Sequence, residues 1–293
     1  MGEDSCMSRW TKLGKWGFAG PWYGELTAHT GSVLMDRLAM LRQYGFQLFS
    51  AGLHDLMKLP VDERKSLLAH LGEHGMELAV YTGYPYITAE ADEAVSWNEE
   101  ILLALSELCS VMKPVIVMTE AHYTSRFDKR IPLNAALERL SGALAPLAAG
   151  CKEFGTRLAI ENHADFYCSD LVTVCRNTPD LWLFLDTGNT FLIGERPLEA
   201  FQAAAPYVIG THFKDHQVRP VLDANPLHFE VGGSVLGEGD VPLQLCYDLL
   251  LAHAPFPEEL IMEIEMICPS GMSPVAALEK SIAYIRTLDG DGE

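Results

Sequence analysis

Eight short apolar runs recur along this chain, and a longer stretch of helical period follows each of them almost to the end. Runs at 15–20, 46–50, 76–81, 114–119, 157–161, 181–186, 207–212 and 260–263 have the length and apolar content of buried strands. The intervening segments repeat apolar residues every three to four positions, as amphipathic helices do. Punctuation agrees: Ser32 stands where a cap is needed, Pro60 and Pro132 open helices, and Gly45 and Gly75 close them. Ser169 or Asp170 is placed to cap a short helix ending at Asn177. A helix after every strand returns the chain to the same edge, so the strands run parallel.

With 293 residues and no break in composition, the whole of 1–293 reads as one domain. An α/β barrel takes roughly 250 residues. The alternative, a doubly wound open sheet, lacks its signature here, because no Gly-x-Gly-x-x-Gly follows the first strand. The expected fold is therefore α/β, a single (β/α)8 TIM barrel, with its active site at the C-terminal ends of the strands. The connection 214–240 is the longest and has little period of its own, which suggests a functional loop.

Those strand ends carry the chemistry. Strand 157–161 ends in Glu161, strand 181–186 in Asp186, strand 207–212 in His212 and strand 260–263 in Glu263. On neighbouring barrel strands these side chains converge. Three carboxylates and an imidazole make a mainly oxygen-donor set, which suits Mn²⁺ or Mg²⁺, with Co²⁺ and Zn²⁺ also compatible; the lack of cysteine ligands argues against structural zinc. On the last strand Glu263 and Glu265 share a face. Glu263 directly follows the apolar run and is the preferred ligand, with Glu265 as the other candidate.

The stretches Ala159-Ile160-Glu161-Asn162-His163, Leu185-Asp186-Thr187-Gly188-Asn189 and Thr211-His212-Phe213-Lys214-Asp215 resemble the xylose isomerase-like TIM-barrel superfamily, above all its sugar phosphate isomerase/epimerase group. Leu236-Gly237-Glu238-Gly239-Asp240 is similar to a segment common in that group. The resemblance implies a divalent-metal-dependent isomerase or epimerase of a sugar or keto-sugar, working by proton transfer through an enediolate. Glu161 and Glu263 would then be the acid/base pair as well as ligands. The alternative on the same scaffold is a metal-dependent lyase: a dehydratase, keto-sugar-acid decarboxylase or C-glycoside deglycosidase. Asn189 departs from the pattern of many epimerases, which have histidine three residues after the aspartate. Barrels of this group often associate, so a homo-oligomer is a further expectation.

Other residues are placed to bind substrate. His163 follows Glu161 by two positions, and Lys214, His216 and Arg219 open the long connection, where Arg would offer a planar donor fork to an acid or phosphate. Trp22, Tyr23, Tyr84 and Tyr86 lie in loops after the first and third strands; of these Trp22 and Tyr86 are the candidates for stacking on a sugar. His122, beside Glu120 after the fourth strand, and His54 after the second are weaker candidates.

A formal net charge of −19 and a pI near 4.8 argue against a nucleic-acid partner, since few cations could neutralise phosphates. No apolar run reaches the roughly 18 residues of a membrane span, and Met1 to Ser5 lacks the pattern of a signal segment. Seven cysteines without a Cys-x-x-Cys pair point to reduced thiols and a cytoplasmic protein.

Overall fold

The computed structural model describes residues 10–27, 31–223, 225–226 and 228–290; the N-terminal stretch read above for a signal segment lies outside them. In chain order the elements are β1 (Lys15–Gly20), α1 (Val33–Tyr44), β2 (Leu48–Gly52), α2 (Leu53–Lys58), α3 (Val61–Glu73), β3 (Glu77–Tyr81), α4 (Ala91–Cys109), β4 (Ile116–Glu120), α5 (Leu133–Glu153), β5 (Leu158–Glu161) and α6 (Cys168–Asn177). There follow β6 (Leu181–Asp186), α7 (Thr187–Leu192), α8 (Pro197–Ala204), β7 (Val208–Phe213), β8 (Asp215–Val221), β9 (His228–Ser234), α9 (Leu243–His253), β10 (Ile261–Glu265) and α10 (Pro274–Ile285).

Eight parallel strands form one sheet in the order β1-β10-β7-β6-β5-β4-β3-β2. Its two edges meet where Gln47 N donates to Trp16 O at 2.9 Å, so the sheet curls into a nearly closed barrel. The expected (β/α)8 architecture is what the chain adopts. None of the described helices is long and apolar enough to cross a membrane.

Two apolar layers hold the barrel together. Outside it, helix faces pack on the strands through residues such as Leu105, Leu140, Leu183 and Leu278. Inside it, Leu48, Ala79, Ile116, Ala159, Phe184, Ile209 and Ile261 plug the axis below the site. Each buried Leu, Ile or Phe side chain of this kind contributes about 1.5–3 kcal/mol. Phe184 fits only because residue 210 is glycine: a Cβ there would lie 2.4 Å from the Phe184 ring. That ring then meets the His212 imidazole edge-on at 4.7 Å, so the plug also supports the site above it.

Several local expectations shift. Helix α6 begins at Cys168 with Tyr167 as its N-cap; Asp170 sits a turn further in and accepts from Tyr167 N at 3.0 Å, closing a capping box. The connection 214–240 is not a loop throughout, because β8 and β9 pair as an antiparallel hairpin outside the barrel. Strand β10 runs two residues past Glu263, to Glu265.

Candidate active site

The register of neighbouring strands aligns the donors. Asp186 on β6 pairs with His212 on β7, and His212 pairs with Glu263 on β10. Glu161 ends β5 beside Glu120 at the end of β4. His212 is the hub: its Nδ1 lies 2.9 Å from Glu161 Oε1 and 3.4 Å from Glu265 Oε2. Its Nε2 lies 3.7 Å from Glu263 Oε2. One ligand atom each from Glu161, Asp186, His212 and Glu265 falls within 4.8 Å of the others. Both β10 carboxylates thus face the same space. Glu265 completes the tight group, while Glu263 lies deeper and takes a hydrogen bond from the Ser50 hydroxyl.

Backbone clamps hold these side chains. The Asn162 side chain pairs with the main chain of Asp186 at both ends, donating to its carbonyl at 2.9 Å and accepting from its N–H at 2.8 Å. Asn189 donates to Asn162 O at 3.0 Å, so the residue that departs from the epimerase histidine ties α7 to the end of β5 here. Asp186 caps α7 by accepting from Asn189 N at 2.9 Å through Oδ1. Thr187 accepts from Lys214 N at 2.9 Å and fixes β7 alongside.

The electrostatics favour positive charge at this site. Asp186 Oδ2 is buried without a well-aligned hydrogen bond, and Lys214 Nζ approaches it as an ion pair at 2.7 Å. The same ammonium lies 2.8 Å from Glu265 Oε2. Burial pushes the Asp186 carboxyl above its ordinary pKa, with Lys214 offsetting part of that rise. Burial alone would lower the His212 pKa, yet the carboxylates of Glu161, Glu263 and Glu265 outweigh it and raise that pKa well above the usual value. Crowded carboxylates that favour a protonated imidazole and hold an ammonium form a site that attracts positive charge. Their oxygen-rich chemistry fits a divalent ion.

Glu161, His212, Glu263 and Glu265 open into a cavity of about 590 Å³ at the C-terminal ends of the strands, with Asp186 buried outside its wall. Its walls include Pro21, Ser50, Tyr81, Thr82, Glu120, His122, Glu161, His163, His212, Glu263 and Glu265. His122 and His163 therefore reach it. Lys214 is buried behind the donors, and His216 is buried with Nδ1 3.2 Å from Gly232 O. Neither forms part of the wall, nor does Arg219, which binds its neighbour Gln217 on the hairpin. Trp22 packs on Phe18 with the Arg37 guanidinium over its ring, away from the wall. Tyr86 is buried between α4 and α5, its hydroxyl donating to Asn98 at 3.2 Å. Tyr84 and His54 both stack on Trp97. Glu120 matters more than its place in the sequence suggested, although it obeys the same strand-end rule as the donors.

Among known proteins, the family described as "xylose isomerase-like TIM barrel" matches residues 38–288. The chain belongs to this family. Its fold is similar to that of D-psicose 3-epimerase crystallised in the presence of D-fructose, with a TM-score of 0.68 at 15% identity, covering 94% of this chain and 99% of the other. It is also similar to a xylose isomerase-like barrel from Mycobacterium smegmatis in complex with magnesium, with a TM-score of 0.66 at 18% identity over 97% and 99% of the two chains. A third similar fold is the probable 3-DHS dehydratase of petrobactin synthesis from Bacillus anthracis, with a TM-score of 0.64 at 16% identity over 90% and 96%. Among curated proteins, none matches in sequence.

Proposed function

We propose that this family member is a divalent-metal-dependent isomerase or epimerase of a small sugar or keto-sugar. The observation that carries this reading is the donor group of Glu161, Asp186, His212 and the partly buried Glu265, of which all but Asp186 line a sugar-sized cavity. A divalent ion there, manganese in our assignment, would polarise adjacent carbonyl and hydroxyl oxygens of a substrate and acidify the C–H between them. Lys214 offsets part of the charge of Asp186 and Glu265 from behind, and the Phe184 ring keeps His212 facing the cavity. Glu161 and Glu263 reach the cavity from β5 and β10, so one takes the proton and the other returns it, through an enediolate. Ser50 holds Glu263 for that exchange.

The same enediolate would expel a leaving group placed β to it, and a dehydratase of similar fold favours a lyase as the second reading. The described cysteines are all unpaired, which agrees with a cytoplasmic setting. The test is incubation with a panel of keto-sugars and Mn²⁺ in D₂O. Deuterium gained α to the carbonyl in a product of unchanged composition is expected. Loss of water or CO₂ would instead establish the lyase, and conversion without solvent exchange in chelated protein would end the ion-enediolate reading.

A further inference from the structure

The cavity has a second chemical wall, away from the donor group. Glu120, at the end of β4, holds an imidazole on each oxygen: His122 Nδ1 meets Oε1, and His163 Nδ1 lies 3.1 Å from Oε2. All three residues line the cavity. The arrangement needs room, which Gly83 provides, since a Cβ there would lie 3.0 Å from Glu120 Oε1 and 3.5 Å from His122 Nδ1. His122 itself turns back over the strand end with φ of 39°. A carboxylate has about four lone-pair sites, so each Glu120 oxygen keeps acceptor capacity after its imidazole is satisfied. Each imidazole keeps its Nε2. Hydroxyl groups, which donate and accept, are the partners this set matches.

Charge narrows the choice further. Among the described residues, no lysine or arginine lines the cavity. The cations nearby are already paired: Lys214 with Asp186 and Glu265, Arg126 with Asp170, and Arg130 with Asp128. Glu120, Glu161, Asp186, Glu263 and Glu265 together outnumber the charges of one ammonium and one divalent ion. A phosphate or carboxylate on the substrate would enter this space against a surplus of carboxylates, and its burial there is penalised; Arg130, in the adjoining pocket that Glu120, His122 and His163 also line, already lies on Asp128.

We propose that the end of β4 is a hydroxyl-reading subsite in which Glu120, positioned by His122 and His163, selects an uncharged polyhydroxy sugar over its phosphate or acid form. The inference rests on the reading of this cavity as the substrate site and names the substrate class. Arg219 on the hairpin then plays no part in anion recognition.

The test is calorimetric binding of neutral ketopentoses and ketohexoses, their terminal monophosphates and the matching aldonic acids, run with Mn²⁺ and again in chelator. The tightest ligand is expected to be uncharged, with its anionic counterparts at least ten-fold weaker in both series. Glu120→Gln should weaken that ligand about ten-fold while leaving Mn²⁺ affinity, read by electron paramagnetic resonance, within two-fold. An anionic sugar that binds as tightly as its neutral parent, a panel with no neutral binder, or an unaffected Glu120→Gln variant would overturn the proposal. The wild-type panel decides charge preference even if the variant fails to fold. Failure to bind Mn²⁺ counts separately, against the ion, because the chelator series still tests the sugar.

Discussion

Asp165 shows how a single buried group near the site imposes a pH dependence on the fold. Its Oδ1 accepts from His163 N at 3.1 Å and from Phe166 N at 2.7 Å, so it shapes the turn that carries His163. Burial pushes its pKa from 3.8 up to about 6, despite those hydrogen bonds. The folded chain therefore holds this proton more tightly than the unfolded chain. The stabilisation is complete below pH 3.8 and is lost as pH rises through about 6, a contribution of about 3 kcal/mol. Asp165→Asn keeps an acceptor for both N–H groups and carries no charge. Its melting temperature should exceed that of the wild type by several degrees at pH 8, and the gap should close towards pH 4 in paired thermal melts. Asn162 makes the converse case. Asn162→Ala would strand the buried N–H and carbonyl of Asp186, each at about 1–3 kcal/mol, so urea denaturation should report a loss of about 2–6 kcal/mol. Nothing in the sequence separates this asparagine from an ordinary turn residue; its value comes from the strand it reaches across to.

At the scale of elements, the hairpin β8–β9 depends on Asp215, whose two oxygens accept from His216 N, Gly237 N, Gly239 N and Val241 N at 2.9–3.2 Å. Only a carboxylate offers two acceptors to four donors. Asp215→Asn would replace one oxygen by an amide NH2 facing N–H groups, so a loss of about 2–4 kcal/mol is expected, with faster limited proteolysis between residues 214 and 240. The barrel strands were legible in sequence because burial on both faces demands continuous apolar runs. The hairpin was not, because His228, Phe229, Glu230 and Val231 are all exposed and the residues buried at its base, Asp215, His216 and Ser234, are polar. Pro220 within β8 and Gly232-Gly233 within β9 also read as breakers. Helix α7 hid for a different reason. It is only six residues long and starts on the turn after Asp186, too short for a helical period to appear. On β10, Ile264 lies between Glu263 and Glu265, so the apolar run gives no sign of where the strand ends. The candidate donors were visible because each follows such a run; which β10 carboxylate approaches His212 Nδ1 depends on three-dimensional register, which sequence does not carry.

For the whole molecule, barrel closure brings like charges together, and a positive charge among them relieves their repulsion. The chain carries a net charge of −19, and its buried acids concentrate around His212. Lys214 supplies one positive charge, enough for the barrel to form but not to neutralise the group. An ion that binds the folded site and not the unfolded chain stabilises by mass action, about 2.7 kcal/mol at one hundred times its dissociation constant. For a domain of this size that corresponds to a rise in melting temperature of roughly 5 °C. Differential scanning calorimetry in chelator and then in excess Mn²⁺ should show that rise. Glu265→Gln removes one donor while leaving Lys214 paired with Asp186, so it should fold normally in chelator and lose most of the Mn²⁺-dependent shift. Glu263→Gln separates the two β10 carboxylates: a shift retained there but lost in Glu265→Gln assigns the ion to the outer residue. The opposite pattern assigns it to the inner one, and an unchanged shift in both variants would place the ion elsewhere on this acidic protein.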